Sequence, residues 1–572
     1  MFNMLFKTAL SGSNIIINRS VSRLASNGYL HNPGSEPLTY ATFGQVVEAS
    51  ADRWPGRVAV RSIYEDVSLT YEQLLTKADS LGCSLRAQGL EKGDMVGIWS
   101  HNNSQFIVTL VGAARAGLIS VLLNPLYEKP ELSFCIEKTG LKAIVIGDTI
   151  KRNYFKTIEE LIPEVHKHTP GNIESKEFPS LKAIISCDKM ELPGTFCFES
   201  LLASKQDASR FCTKVEPDDG AIIHLTSGTT GNPKAALDAH FGYINNSYFI
   251  GKRQKLHEEH HTICVQAPLF HAMGSVITTG AALRHGATLV LAAPIYNPGM
   301  NLKALLNEKC TVLNGTPTMF VDILNLVRST CAKPNLRVAL NGGAPCSPQL
   351  VKDIKMHLNA DMVTSLFGLS ETTAAVFQNL PDDSTELVAN TVGYIHDHVE
   401  ARVVDDDGKT LPFGSPGELL VRGYCNMIGY WDDPKKTRET LRDDGWLHTG
   451  DKFILGEDGY GRIVGRLKDI IVRGGENIAP KEIEDLLNTH PDVIESQVVG
   501  ISDERLGEEL CAVVRLRAGA TFSADDLRRH LDGRLAKFKI PRLLRVAEQF
   551  PKTNSGKIQK FKIRDLIESG KL

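Results

Sequence analysis

The sequence lacks the features that mark secreted, membrane-spanning or nucleic-acid-coating proteins. Its 11 cysteines in 572 residues are scattered and form no Cys-x-x-Cys pair, which argues against a disulfide framework or a cysteine-rich zinc module. The best candidate for a membrane span, residues 106–114, is stopped by Arg115 short of the roughly 18 apolar residues required. Lys and Arg total 64 and Asp and Glu total 67, so there is no bulk attraction for nucleic acid. We expect no transmembrane segment and no nucleic-acid partner, and the pattern does not indicate which protein partners exist.

The N-terminus differs in composition from the rest of the chain. No acidic residue precedes Glu36, whereas Lys7, Arg19 and Arg23 lie among several serines. The apolar run 15–17 is too short for the core of a secretory signal, and a basic, serine-rich, acid-free segment is typical of a transit peptide. We predict a mitochondrial transit peptide over residues 1–28, with removal somewhere near Ser26, and a matrix location; a plain N-terminal tail is the alternative.

The remaining chain alternates helical patterns with short apolar runs, which predicts an α/β fold. Residues 95–99, 121–123 and 143–146 are such runs, and residues 221–225 form another directly before a Gly/Thr/Ser loop. Between residues 392 and 464, strand-like pieces lie between Gly, Pro and Asp turns. These patterns predict two α/β subdomains and a smaller β-rich subdomain.

A compact α+β unit of about a hundred residues follows Gly465. Pro480 is placed to begin a helix, and Ser523 with Asp526 resembles a capping box at the start of another. We therefore predict a large N-terminal domain, residues 29–465, and a small C-terminal domain, residues 466–572.

Residues 226–234 form a loop rich in glycine and hydroxyl groups. Glycines allow a tight backbone that approaches a ligand closely, exposed N–H groups and hydroxyls can surround phosphate oxygens, and a lysine adds positive charge. The loop is not a Walker A motif, and on its own it is more often a plain turn. Its members are Thr226, Ser227, Gly228, Thr229, Thr230, Gly231, Asn232, Pro233 and Lys234.

Further Gly-rich or charged segments follow this loop in order along the chain. They are Gly342-Gly-Ala-Pro345, Phe367-Gly-Leu-Ser-Glu-Thr372, Gly445-Trp-Leu-His-Thr-Gly-Asp451, Gly465-Arg-Leu-Lys-Asp469 with Arg473-Gly-Gly-Glu-Asn477, and Pro551-Lys-Thr-Asn-Ser-Gly-Lys557. In this order and at these separations, the segments resemble the adenylate-forming superfamily of acyl-CoA synthetases, adenylation domains and luciferases. The resemblance extends from about Phe43 to the C-terminus.

The resemblance implies an ATP-dependent ligase with two half-reactions. A carboxylate attacks the α-phosphate of Mg-ATP to give an acyl-adenylate and pyrophosphate, and coenzyme A then displaces AMP. Such chemistry needs positioning and charge neutralisation above all. The large domain would be the adenylation domain and the small one would be mobile. The likeness is strongest to the mitochondrial medium-chain branch; another carboxylate (aryl, short-chain or long-chain), weak thioesterification and luciferase-like oxidation stay open.

The resemblance also implies a role for individual residues. The catalytic residues would be Lys557, Thr226 and Glu371, with Lys557 on the α-phosphate and Glu371 holding Mg²⁺, a cation that prefers oxygen ligands. The loop 226–234 would cradle the β- and γ-phosphates. The adenine and its surroundings would be bound by Gly342, Gly343, Ala344, Pro345, Phe367, Gly368 and Ser370.

The other implied roles concern ribose, the hinge and the two remaining substrates. Asp451 would accept from the ribose hydroxyls, and Arg466 would reach the ribose or phosphate. Lys468 would be the hinge, and Gly475 would leave room for coenzyme A. His271 and Gly274 would border the acyl pocket. Taken singly, each has a simpler interpretation: Asp451 as a solvated turn acid, Lys557 and Lys468 as surface lysines, His271 as a core histidine, Gly475 as a turn glycine.

The chain departs from the family pattern at two positions. Phe367 stands where tyrosine is usual, which keeps a ring for stacking but removes a hydroxyl. Ala235 stands where glycine usually follows the loop lysine, so we expect ordinary backbone angles there.

His257-Glu-Glu-His-His261 fits the zinc-protease pattern H-E-x-x-H. The charged run before it, the strand-like residues 262–265 after it and the lack of a third ligand favour a solvated helix end instead.

Overall fold

The computed structural model describes residues 27–150, 152–203, 214–226, 233–344, 346–466, 469–473, 476–503, 506–532, 534–535, 537–553 and 558–572, with only the backbone for residues 466, 472, 476, 477 and 538. Helices and strands alternate along these residues. The first part of the chain contains β1 (Tyr29–Asn32), α1 (Phe43–Arg53), β2 (Val58–Ser62), β3 (Val67–Thr70), α2 (Tyr71–Ala87), β4 (Met95–Trp99), α3 (Ser104–Arg115), β5 (Ile119–Leu123), α4 (Lys129–Thr139), β6 (Ala143–Ile146), α5 (Tyr154–Leu161), β7 (Ala183–Ser186), β8 (Phe196–Cys197) and α6 (Phe198–Leu202).

The middle part continues the same alternation and includes a π-helix. It contains β9 (Gly220–Thr226), β10 (Lys234–Ala239), α7 (His240–Arg253), β11 (Thr262–Val265), the π-helix Met273–Gly280, α8 (Ala281–His285), β12 (Thr288–Leu291), α9 (Pro298–Asn307), β13 (Val312–Gly315), α10 (Pro317–Thr330), β14 (Val338–Gly342), α11 (Pro348–His357), β15 (Met362–Phe367), a single 3₁₀ turn at Ser370–Thr372, β16 (Phe377–Gln378) and α12 (Thr385–Asn390).

The last part is richer in strands and then returns to an α/β pattern. It contains β17 (Tyr394–Ile395), β18 (Val399–Val404), β19 (Pro416–Gly423), β20 (Gly429–Tyr430), α13 (Pro434–Thr440), β21 (Leu447–Leu455), β22 (Gly461–Arg466), β23 (Ile471–Arg473), β24 (Glu476–Ile478), α14 (Pro480–Leu487), β25 (Val493–Asp503), β26 (Gly507–Leu516), α15 (Ala524–Leu531), β27 (Leu543–Val546) and α16 (Lys560–Glu568).

Two mixed sheets form the two α/β subdomains of the large domain, as the apolar runs predict. One has eight strands in the order β20-β10-β9-β5-β4-β6-β7-β8, and the other has nine in the order β17-β16-β15-β14-β13-β11-β12-β2-β3. Their central strands are parallel. Every residue of β4, β5 and β6 is buried. Helices cover both faces of a parallel sheet, so the side chains on neither face reach solvent and the strands do not alternate apolar with polar residues.

The β-rich subdomain is an antiparallel sheet in the order β1-β18-β19-β21-β22. The predicted strands within residues 392–464 are present, but β1 is an addition that the sequence does not indicate, pairing Tyr29 with Arg402. Gly28 belongs to the same sheet region, since its amide donates to the Leu411 carbonyl at 2.6 Å. The fold therefore begins at or before the last residue of the predicted transit peptide, of which residues 1–26 lie outside the described part.

The small domain is an α+β unit built on a sheet with β27 beside β26. Its helix α14 begins with Pro480 at the first turn. The capping box is present, with the Ser523 side chain accepting from the Asp526 amide and the Asp526 carboxylate accepting from the Ser523 amide. Both local predictions are confirmed.

Two further expectations concern membranes and metals. None of the helices in the described ranges is both long and apolar enough to cross a bilayer.

Helix α7 ends at Arg253, so the motif at residues 257–261 lies beyond it and is not a helix end. His260 and His261 contact the Thr288 and Thr311 hydroxyls at 3.0 and 3.1 Å, and the described residues hold no cluster of three metal-ligating side chains.

Candidate active site

Strands β9 and β10 form a hairpin that brackets the glycine-rich loop. Thr226 and Lys234 are direct partners across it, and residues 227–232 lie outside the described residues. Residues directly opposite each other in an antiparallel pair point to the same face of the sheet. Thr226 and Lys234 therefore share one face of the hairpin. Ala235 lies buried within β10, so its backbone is extended, as expected for alanine.

Tyr430 connects this hairpin to Glu371 of the second sheet region. Its hydroxyl donates to Oε1 of Glu371 at 2.7 Å, and Nζ of Lys234 lies 5.0 Å from the centre of its ring. Burial, with the Glu371 carboxylate, raises the pKa of Tyr430. The phenol therefore stays protonated and keeps donating. Tyr430 reaches this place because β20 pairs with β10, setting it opposite Ala236.

The predicted adenine residues lie at the carboxyl ends of β14 and β15, which are neighbours in register through Gly342 and Leu366. Gly343 has φ of 79° and Ala344 follows; Pro345 lies outside the described residues. Phe367 is only 7% exposed, with its ring 5.5 Å from that of Phe453.

The turn that carries Ser370 and Glu371 depends on Gly368. A Cβ at this position would lie 2.0 Å from the Ala374 carbonyl oxygen, so no other residue fits without moving the backbone. Ser370 and Glu371 are both half-buried in the turn, where they remain accessible.

Asp451 lies at the junction of the β-rich sheet and the small domain. It is the direct partner of Arg466 across β21 and β22, although the Arg466 side chain is outside the described atoms. Asp451 is 3% exposed, so its interpretation as a solvated turn acid is wrong. A carboxylate withdrawn from water to this degree needs compensating partners.

The predicted acyl-pocket residues border the π-helix Met273–Gly280, which is buried along its whole length. Helices of this type are rare and occur often at functional sites. His271 is half-buried and its carbonyl accepts the amides of Gly274 and Ser275 at 2.8 Å. Gly274 is required by packing, because a Cβ there would lie 2.1 Å from the Pro268 carbonyl oxygen.

Lys468, Gly475 and Lys557 lie outside the described residues. The segment before Lys557 is described up to Thr553, and Lys552 pairs with Ile558 across the intervening residues. Burial lowers the pKa of Lys552. Burial also raises the pKa of Asp322 on α10, and the positive charge of Lys552 partly offsets that rise. Lys552 therefore lies near the large domain.

Comparisons with known proteins agree with this architecture. A family model described as AMP-binding enzyme matches residues 47–431, and one described as AMP-binding enzyme C-terminal domain matches residues 482–557. The mouse and human proteins named "Medium-chain acyl-CoA ligase ACSF2, mitochondrial" are 39% and 38% identical, covering 94% and 98% of this chain and 90% and 94% of their own. A "Putative acyl-CoA synthetase YngI" from Bacillus subtilis is 34% identical over 92% of this chain and 97% of its own.

Solved structures show the same fold. An anthranilate CoA ligase, AuaEII, in complex with anthranoyl-AMP superposes with a TM-score of 0.83 at 24% identity, covering 94% of this chain and 99% of its own. ATP-bound MatB from Rhodopseudomonas palustris gives a TM-score of 0.79 at 26% identity over 92% and 99%.

Proposed function

The chain belongs to the AMP-binding enzyme family, and on that premise we propose that it activates a medium-chain fatty acid with ATP and transfers the acyl group to coenzyme A. It is an acid–CoA ligase, with acyl-adenylate as intermediate and AMP and pyrophosphate as products. The observation that carries the proposal is the contact chain from Lys234 through Tyr430 to Glu371. It brings a cation and a carboxylate from two sheet regions to one place, as binding of a metal-bound triphosphate requires.

The ATP phosphates bind at the hairpin in this proposal. Lys234 supplies positive charge, and Thr226 and residues 227–232 supply hydroxyl and N–H donors. Pro233, whose ring fixes its φ angle, restricts the backbone where the loop ends. The adenine lies against the ends of β14 and β15, where Gly342, Gly343, Ala344 and Pro345 line it. Phe367, Gly368 and Ser370 border the same position, Asp451 binds the ribose, and Arg466 reaches the ribose or phosphate.

Glu371 is the proposed Mg²⁺ ligand. Magnesium is usually held by one or two carboxylates together with substrate phosphates, not by a complete cage of side chains. Glu371 suits this kind of site. Its carboxylate is half-buried and accessible, and the hydrogen bond from Tyr430 orients Oε1. When bound, Mg²⁺ neutralises phosphate charge.

The second half-reaction is assigned to the small domain, residues 466–572, rotating on the large domain, residues 29–465. Lys468 is the proposed hinge and Gly475 leaves room for the pantetheine arm of coenzyme A. Lys557 stabilises the charge that develops at the α-phosphate during adenylation. These three assignments rest on the family motifs.

The acyl chain is proposed to lie along the π-helix, bordered by His271 and Gly274. The mouse and human relatives carry medium-chain in their names, which supports a substrate such as octanoate. Purified protein given octanoate, Mg-ATP and coenzyme A should form octanoyl-CoA and AMP, and kcat/KM across an acyl series should peak at medium length. A maximum with aryl, short or long acids would contradict the chain length, and ATP–pyrophosphate exchange without thioester would contradict the ligase.

The proposed location is the mitochondrial matrix. The acid-free N-terminus and the word mitochondrial in the relatives' names support it. Protein recovered from matrix fractions should begin near Ser26, which leaves the bond between Gly28 and Leu411 intact. Recovery of an intact Met1 would contradict cleavage.

A further inference from the structure

Four buried polar side chains form a continuous chain of contacts between the two α/β subdomains of the large domain. Nδ1 of His224 lies 2.9 Å from Oδ2 of Asp238, and Nε2 lies 2.8 Å from Oγ of Ser275. The hydroxyl of Thr373 lies 3.3 Å from Oδ1 of Asp238. None of the four exceeds 2% exposure. We call His224, Asp238, Ser275 and Thr373 the buried polar chain.

The ends of the buried polar chain are anchored to backbone carbonyls. Oγ of Ser275 lies 3.0 Å from the His271 carbonyl, and the Thr373 hydroxyl donates to the Cys425 carbonyl at 2.7 Å. Every member therefore has partners on both sides. Deleting one member leaves its neighbour unsatisfied and buried from solvent, which costs more than the lost bond.

Each member belongs to a different element and lies close in sequence to a proposed site residue. His224 is two residues before Thr226 on β9, and Asp238 is on β10, diagonal to it on the same face. Ser275 is on the π-helix, four residues after His271. Thr373 is two residues after Glu371 and has φ of 55°, a conformation that threonine rarely adopts.

Packing alone does not account for these residue types. Buried polar groups cost free energy that apolar residues would not, and the neighbours of His224 along β9 are apolar, Ile222 and Ile223. A hydrogen-bonded network has defined distances and directions, whereas apolar side chains can slide. The buried polar chain is therefore suited to fixing the register between the elements that it joins.

We propose that the buried polar chain consists of positioning residues that hold the phosphate hairpin, the acyl-pocket wall and the Glu371 turn in one register for adenylation. The inference rests on the proposed function. In the proposed function, the acid lies along the π-helix and the hairpin loop holds the β- and γ-phosphates to which the α-phosphate is bonded. The distance between the carboxylate and the α-phosphate therefore depends on how the π-helix and the hairpin are positioned relative to each other. A displacement of about 1 Å can cost on the order of a hundredfold in rate.

The test compares Ser275→Ala with Ser120→Ala. Ser120 lies on β5, beside β9, is 1% exposed, and its hydroxyl makes no hydrogen bond within the described residues. Octanoate-dependent ATP–pyrophosphate exchange reports adenylation, and thioester formation from supplied octanoyl-adenylate reports the second half-reaction. For Ser275→Ala we expect kcat of exchange to fall at least about tenfold, with the KM for ATP and the thioester rate changed less than about threefold.

The control variant Ser120→Ala should retain both rates. Equal losses in the two half-reactions of Ser275→Ala would assign it a merely structural role and overturn the proposal, as would no loss of exchange. If the wild-type protein shows no exchange with any acid, the proposed function fails instead, so the two failures are distinguishable.

A double-mutant cycle tests whether the members act as a unit. Ser275→Ala and Asp238→Asn alter residues that do not touch but share His224. A double variant that loses no more than about threefold beyond the worse single variant supports the proposal. Multiplied losses would mean independent effects and overturn it. Should Asp238→Asn fail to fold, the Ser275→Ala comparison stands alone.

Discussion

The phenolic oxygen of Tyr430 lies 2.7 Å from Oε1 of Glu371, while the ring of the same tyrosine lies 5.0 Å from Nζ of Lys234. One side chain thus supports the proposed metal ligand by its edge and the phosphate-binding cation by its face. The two functions are chemically separable, because phenylalanine keeps the ring and loses only the hydroxyl.

Tyr430→Phe should weaken the binding of Mg²⁺ by Glu371, because the hydrogen bond to Glu371 is lost. It should not disturb Lys234, because the ring that Lys234 contacts is kept. Losing one hydrogen bond to a charged group costs about 1.5–3 kcal/mol, so we expect the Mg²⁺ concentration for half-maximal adenylation to rise about tenfold or more. Tyr424→Phe is the matched control, since the Tyr424 hydroxyl is buried and has no hydrogen-bond partner in the described part of the chain. An unchanged Mg²⁺ titration would contradict the role of Tyr430.

Asp451→Asn should raise the KM for ATP. The buried carboxylate is proposed to accept from the ribose hydroxyls, and an amide keeps only one acceptor oxygen. An increase of about tenfold to a hundredfold corresponds to losing a charge-assisted hydrogen bond. Asp458→Asn, on the exposed turn between β21 and β22, should leave the KM unchanged; similar effects in both variants would argue against ribose binding.

Lys557→Ala should separate the two half-reactions. If Lys557 stabilises the adenylation transition state, exchange should fall by about 10²–10³, while thioester formation from supplied acyl-adenylate should change little. Lys571→Ala removes an exposed lysine near the C-terminus and should affect neither rate. Equal loss of both half-reactions in Lys557→Ala would refute the assigned role.

Stability should fall as the pH drops from about 6.5 toward 4. Burial lowers the pKa of His240 and of His285 to about 4, so between these values the unfolded chain binds protons that the folded chain does not. The unfolded state is then favoured, by up to about 3 kcal/mol for each histidine at the acid end. The melting temperature should decline across this interval and stay level above it.

His285→Gln should flatten this pH dependence. Its amide can still donate to the Tyr248 carbonyl that His285 contacts at 3.0 Å, but it does not titrate. His166→Gln, at an exposed position, should leave the slope unchanged. A slope unaffected by His285→Gln would exclude this histidine as a source of acid sensitivity.

The parts of the fold that the sequence predicts are those with local signals. The run at residues 95–99 matches β4, and the Ser523–Asp526 capping box forms as expected, because burial on both faces and a three-residue spacing are readable within one segment. The π-helix is not readable in this way. Its residues pattern like any buried helix, and the close packing of Gly274 against Pro268 has no signal in the sequence either.

The residues of the candidate site also divide into those with a signal in the sequence and those without one. The glycine-rich loop, Glu371 and Asp451 stand in motifs that resemble a known family, so their neighbourhood could be anticipated. Tyr430 and His224 could not, because their importance comes from contacts with Glu371 and Ser275, which lie 59 and 51 positions away. A single tyrosine or histidine in a strand carries no sign of such a partner.

Strand β1 can pair with β18 only late in synthesis of the chain. The Tyr29 hydroxyl donates to Glu400 across 371 positions, so β1, the first strand in the described part of the chain, has no partner in this sheet until almost the whole large domain has been synthesised. Contacts of such long separation slow folding, and an unpaired strand is exposed to wrong partners meanwhile. Completion of the β-rich sheet can therefore occur only after the two α/β subdomains have been produced, and a chain interrupted before Val399 leaves this edge strand unpaired.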